Sequence, residues 1–150
     1  MAEADRERFG TMVGELSRMW RRTLNHRLKP LGLSQAQWMV ILHLGRARGA
    51  MVQHELAERL NIEAPSLARL LDRMAASDWV ERRESPTDRR CKMVHLTRKS
   101  RAAARKIDAA IREVRQELLA DVTPDDLAHF ERIFRLISSR AEALQTVQQS

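Results

Sequence analysis

Residues 87–92 read TDRRCK, so an acid, two arginines, a thiol and a lysine follow one another directly as Asp88, Arg89, Arg90, Cys91 and Lys92. Guanidinium and ammonium groups at this density suit a polyanionic partner, because arginine presents planar paired donors to phosphate oxygens. The bland reading is that the charges merely solvate a turn. Cys91 lies between two cations, the setting of a reactive thiol, although a lone cysteine in a strand more often serves as a small packing residue. His54-Glu55 begins like a zinc-hydrolase motif but lacks the second histidine at the required spacing. The five histidines, His26, His43, His54, His95 and His129, form no ligand pair, so no metal site and no cofactor is expected. There is also no glycine-rich phosphate loop, nucleophile elbow or paired-acid motif, and the chain is not expected to be an enzyme.

The elements that must position this basic run are mostly helical. With 150 residues, 43% hydrophobic and 31% charged, and only five glycines and four prolines, the composition fits one helix-rich domain over 1–150. The net charge is +7, and residues 66–101 hold ten basic against five acidic side chains, so the excess gathers around the basic run. One cysteine permits no internal disulfide, and no apolar stretch reaches the length of a membrane span. A cytoplasmic, nucleoid-associated protein is expected, with no membrane partner.

Apolar residues at Phe9, Met12, Val13, Leu16, Met19, Trp20, Leu24 and Leu28 step by three and four, which predicts a helix over about 1–30 stopped by Pro30. Its 25 residues from Asp5 to Lys29 would span about 37 Å, more than a small domain can cover with its own core. Ser34 and Gln37 form a capping box for a second helix through Trp38, Ile41 and Leu44, ending before Arg48-Gly49. Two short helices follow, one over 53–60 and one that starts near Pro65 with Leu67, Leu70, Leu71 and Met74 on one face. Ala103, Ile107, Ile111, Val114 and Leu118 mark a connecting helix over about 97–120, with Thr97 as its cap. Thr123-Pro124-Asp125-Asp126 then opens a last helix over about 120–150 with Leu127, Phe130, Ile133, Phe134, Ile137 and Leu144 on its face.

The pair VQHELAERL and APSLARLLDRM, joined by NIE, has the spacing of a helix-turn-helix, with small Ala57 at the crossing and Ile62 in the turn. A charged hairpin pairing 79–84 with 91–96 comes directly after it, which makes residues 34–96 a winged helix-turn-helix. The second helix can enter a major groove while Arg89 or Arg90, at the wing tip, reaches a narrow minor groove. Arg98, Lys99 and Arg101 oppose the dipole at a helix start, so some of them are expected to touch phosphate. The fold class is therefore mainly α, a winged helix-turn-helix with long N- and C-terminal helices. Two other functions share these features: a non-specific basic coat for nucleic acid, and a helical protein adaptor.

The element order, together with RMWRRTLNHRLKPLGLSQAQW, IEAPSLARLLDRM and TDRRCKMVHLT, resembles the MarR family of bacterial transcription regulators, and in particular its SlyA-like branch. The resemblance implies a homodimer joined through its first and last helices, at Phe9, Val13, Leu16, Phe130, Phe134, Ile137 and Leu144. It also implies double-stranded DNA as partner, in the form of a pseudopalindromic operator, and a role as repressor or anti-silencer. By position, Pro65, Ser66 and Arg69 would lie at bases or phosphates, with Arg73 one turn beyond. Asp88 would brace Arg90. Family members respond to small aromatic acids such as salicylate, and the matching wall here is Arg18, Trp20, Arg21, Trp38 and Leu42, although both tryptophans also lie on apolar stripes and suit plain core. Ser77-Asp78 departs from the family, which commonly ends its recognition helix with glycine.

Overall fold

The computed structural model describes residues 2–148. The chain divides into two compact units, one running through Val114 and one beginning at Arg115, and the division falls within a helix.

The first unit begins with α1 (Ala2–Leu28), whose end passes through a 3-10 turn, Lys29–Leu31, containing Pro30. Proline cannot donate the next intrahelical hydrogen bond, and Gly32 takes up the left-handed φ of 67° that turns the chain away. The predicted capping box starts α2 (Gln35–Arg46): Ser34 Oγ accepts from Gln37 N at 3.3 Å, and Gln37 Oε1 accepts from Ser34 N at 2.8 Å. Then come β1 (Ala50–Val52), α3 (Gln53–Leu60), α4 (Ala64–Ala76), β2 (Val80–Glu84), β3 (Lys92–Leu96) and α5 (Arg98–Leu118).

Strand β1 was not predicted. It is three residues long, and only Met51 within it is buried, so it shows no alternating pattern to detect. It completes an antiparallel sheet in the order β1-β3-β2, with Met51 opposite Val94 and Arg82 opposite Val94 from the other side. The hairpin otherwise lies where expected.

The core is built from Leu56 of α3, Leu67, Leu71 and Met74 of α4, Val80 and Val94 of the sheet, and Ile107 and Val114 of α5. Burying each such side chain is worth about 1.5–3 kcal/mol, and together they fix α4 against the wing. In α2 the burial extends beyond one stripe: Trp38, Val40, Ile41, Leu42 and Leu44 are all buried, so this helix runs through the middle of the unit. Its close neighbour is α5, where a Cβ on Gly45 would sit 3.1 Å from Ala104 Cβ.

Only the C-terminal part of the α1 stripe joins this core: Leu24 and Leu28 are buried in it and Trp20 packs against it. Phe9, Met12, Val13, Leu16 and Met19 are exposed. In the second unit α6 (Pro124–Gln148) starts as predicted, with Thr123 Oγ1 accepting from Asp126 N at 3.2 Å and the Asp126 carboxylate accepting from Thr123 N at 3.1 Å. Phe130, Phe134, Leu136, Ile137 and Leu144 on α6 are exposed.

Candidate nucleic-acid interface

Helix α4 begins with Pro65 in its first turn, where a missing N–H costs nothing. The turn before it is set by Asn61, which ends α3 in the left-handed conformation at φ 50° while Ile62 N reaches back to Ala57 O at 3.0 Å. Leu67, Leu70, Leu71 and Met74 are buried, so Pro65, Ser66, Arg69 and Arg73 are presented on the exposed side. Arg69 donates to Ser66 Oγ at 3.3 Å, so these two predicted residues form one polar group.

The wing tip is a compact turn. Asp88 Oδ1 accepts from Arg90 N at 2.9 Å and from Arg90 Nε at 3.3 Å, and Cys91 N donates to Asp88 O at 3.0 Å. The Arg90 backbone N–H, followed by its guanidinium, holds the Asp88 carboxyl below the usual carboxylate range. The Arg90 side chain is nonetheless 91% exposed, so it is oriented at its base and free at its end. Arg89 is exposed and has no such tether. The Cys91 thiol faces the same carboxylate, with Sγ 3.7 Å from Asp88 Oδ2.

Between the starts of α3 and α4 and this turn lies a cleft of about 300 Å³, edged by Gln53, His54, Arg90 and Lys92. Gln53 borders this cleft, and its Oε1 is the one buried side-chain polar atom without a hydrogen-bond partner among the described residues. An acceptor left without a partner beside two cations gives the cleft both signs of polarity.

The contacts that hold the root of the wing to α4 and α5 were missed by local sequence reasoning. Asp72 on α4 pairs with Arg82 on β2, and the pair joins helix to strand. Asp78 ends α4 in the left-handed conformation at φ 58°, as the departure from glycine required, with Trp79 N bonding Met74 O at 2.8 Å. The start of α5 secures this turn: Thr97 Oγ1 donates to Asp78 O at 2.8 Å while also capping Ser100 N at 3.2 Å. Lys99 Nζ donates to Ser77 O at 2.9 Å and lies 3.9 Å from the centroid of the Trp79 ring. Lys99 is therefore engaged within the protein. Arg101 is packed against Gly49, and Arg98 is exposed at the first residue of α5. The sequence signal for the clamp was present in Thr97-Arg98-Lys99 and Trp79, but nothing in it revealed that the two segments meet.

The wall matched to an aromatic acid divides. Trp38 is 2% exposed and its indole N–H donates to Asn25 Oδ1 at 2.8 Å, while Asn25 donates to Gln35 Oε1 at 3.0 Å. Trp38 and Leu42 are thus core, and their rings and methyls are spent on packing. Trp20 and Arg21, with Val13, Leu16 and Ser17, border an open cavity of about 240 Å³ on α1. Arg21 is tied to Ser17 Oγ at 3.1 Å, and Arg18 extends back beside Gly14 instead of lining that cavity. Among the described residues no group of three or more His, Cys, Asp or Glu is placed to hold a metal ion, and no helix is long and apolar enough to cross a membrane.

A buried helix corner, an exposed polar helix face and a hairpin tipped with free guanidinium groups define a winged-helix DNA-binding protein. Comparison with known proteins refines this. Residues 31–90 match the model of the MarR family. The solved structure of transcriptional regulator PA3341 is 38% identical, covers 90% of this chain and 98% of its own, and superposes with a TM-score of 0.81. A cysteine-to-serine mutant of MarR from E. coli, complexed with operator DNA, is 29% identical over 85% of this chain and 91% of its own, with a TM-score of 0.74. AbsC, a MarR family transcriptional regulator from Streptomyces coelicolor, is 21% identical over 95% of this chain and 97% of its own, and its TM-score of 0.81 shows the shared fold. The chain belongs to the MarR family of transcriptional regulators, which are DNA-binding proteins and not enzymes.

Proposed function

We propose that this chain is a homodimeric, sequence-specific regulator of the SlyA-like branch, a repressor or anti-silencer that occupies a pseudopalindromic operator on bacterial chromosomal DNA. The observation that carries this reading is the pairing of two surfaces: Ser66 and Arg69 exposed on α4, and Arg90 tethered by Asp88 at the wing tip. The first suits a major groove and the second an adjacent minor groove. The exposed stripes Phe9, Val13 and Leu16 on α1 and Phe130, Phe134, Ile137 and Leu144 on α6 support a dimer, since apolar surface of this extent on a small domain is normally covered. Two α4 helices would then meet half-sites about 34–36 Å apart. The similar MarR complex holds operator DNA.

The effector class proposed is a small aromatic carboxylate. Arg21 and Trp20 border the α1 cavity, so a guanidinium and an indole are available to one planar acid, with Arg18 close by in sequence. Val13 and Leu16 line the same cavity and belong to the dimerisation stripe, so a partner helix would enclose it. Trp38 and Leu42 are buried in the core and do not line it.

The test is a binding assay against genomic fragments, followed by titration of salicylate into the complex. An operator is expected to bind about a thousandfold or more tighter than random duplex, and salicylate to release it. Equal affinity for all duplexes would refute the regulator reading, and a complex that survives excess salicylate would refute that effector.

A further inference from the structure

The wing does not use all of the arginine excess. At the other end of β3, beside Leu96, a cavity of about 260 Å³ is bordered by Arg48, Arg101 and Arg105. Arg48 belongs to the turn between α2 and β1, and the other two lie in the second and third turns of α5. The side chains of the three make no hydrogen bond or ion pair with another group among the described residues. The one acid on the cavity, Asp108, is itself 3.7 Å from Arg46 outside it. Three like charges facing one acid that another arginine already engages raise the energy of this surface, and a bound anion lowers it.

The backbone is shaped to allow this convergence. Gly49 has φ 96°, and a Cβ there would lie 2.6 Å from an Arg101 guanidinium nitrogen, so the missing side chain makes the space that Arg101 occupies. Arg48 precedes it at φ 59°, a left-handed conformation usually filled by glycine or asparagine at a helix end. A guanidinium is thus kept where the backbone favours a smaller residue. The cavity is also remote from the wing tip. Lys92 marks the tip end of β3 and Leu96 the cavity end, four residues or about 13 Å apart along the strand.

We propose that Arg48, Arg101 and Arg105 form a binding site for a small polyvalent oxyanion, a molecule with two or more phosphate or carboxylate groups, separate from both the DNA-contacting surface and the aromatic-acid cavity. The volume suits a compact ion better than a drug-sized ligand, whose pockets begin near about 300 Å³. Three guanidinium groups can offer paired donors to two or more oxyanions at once, and this selects polyvalent over monovalent ions.

Isothermal titration of the full chain, without DNA, tests the site with two probes, inorganic pyrophosphate and citrate, in chloride buffer of constant ionic strength. Saturable binding of at least one probe is expected, with one ion per chain, and the two arms separate phosphate from carboxylate preference. The double variant R101Q/R105Q is expected to weaken it tenfold or more, and R48Q alone is expected to weaken it measurably should the double variant not fold. Absence of saturable binding by both probes, or binding unchanged in the variants, would overturn the site. Displacement of the probe by a short DNA duplex would overturn its separation from the DNA surface.

Discussion

Replacing Arg90 with alanine removes a guanidinium that the fold does not need. Its side chain is 91% exposed and hydrogen-bonds to Asp88, whose carboxylate keeps the backbone N–H of residue 90 in the variant. The effect should therefore fall on DNA binding alone. A charged hydrogen bond contributes about 1.5 kcal/mol, and a dimer carries two wings, so the expected loss is about 3 kcal/mol, or roughly 150-fold in affinity. Each cation withdrawn from the phosphates lowers the slope of log K against log salt by about 0.9, so two wings lower it by about 1.8. Fluorescence anisotropy on an operator duplex between about 50 and 200 mM salt measures both quantities. Arg89→Ala removes an untethered side chain of equal charge and should cost only a few-fold. Asp88→Asn leaves the cation but loosens it and removes a nearby negative charge, so operator binding falls while random-duplex binding rises. An Arg90→Ala variant with unchanged affinity and slope, or an Arg89→Ala variant that loses more, would refute the idea that Asp88 selects the working arginine. The Asp88 pKa is lowered in the folded chain, so this support is complete above the ordinary carboxylate pKa and is lost only as pH falls through the lowered value. Wing function should not change between neutral pH and about pH 5.

Asn25→Ala leaves the buried indole N–H of Trp38 without an acceptor and should destabilise the fold by about 1–3 kcal/mol, visible as a lower urea midpoint; an unchanged midpoint would show that the bond contributes nothing. Phe134→Glu, at a side chain 60% exposed in the single chain, should convert a dimer to monomer by sedimentation without unfolding α6, and a persistent dimer would move the interface elsewhere. The His43 pKa is lowered by burial first, then by Arg46 and Arg59, so the unfolded chain takes up the proton before the folded one does. Stability should decline as pH falls from about 6.5 through the lowered value, and His43→Gln should flatten that decline in melting temperature; equal slopes would remove His43 as its source.

Features governed by short-range chemistry were readable from the chain. Ser34 with Gln37, Thr97 and Thr123 each cap the helix they precede, because a cap needs only residues three apart. The buried face of α4 and the exposed stripes of α1 and α6 follow from helical spacing, and the uncovered stripes are what a search for a partner should find. Contacts across the fold were not readable. Lys99 suggested a phosphate ligand when judged by its place at a helix start, yet it lies on Trp79, twenty residues earlier. Periodicity placed Trp38 on an apolar stripe but could not distinguish the wall of a cavity from its interior, and α2 is buried on more than one side. Nor could spacing bring Arg48 to Arg101 and Arg105, since that depends on the path of the α2–β1 turn.

The left-handed turn at Asp78 has a mechanical consequence. Glycine would leave this joint loose, whereas here two carbonyls in succession, at Ser77 and Asp78, are tied to Lys99 and Thr97 of α5. The root of the hairpin is thereby stitched to the helix that follows it, and the tip, held only by its own turn, is the compliant end.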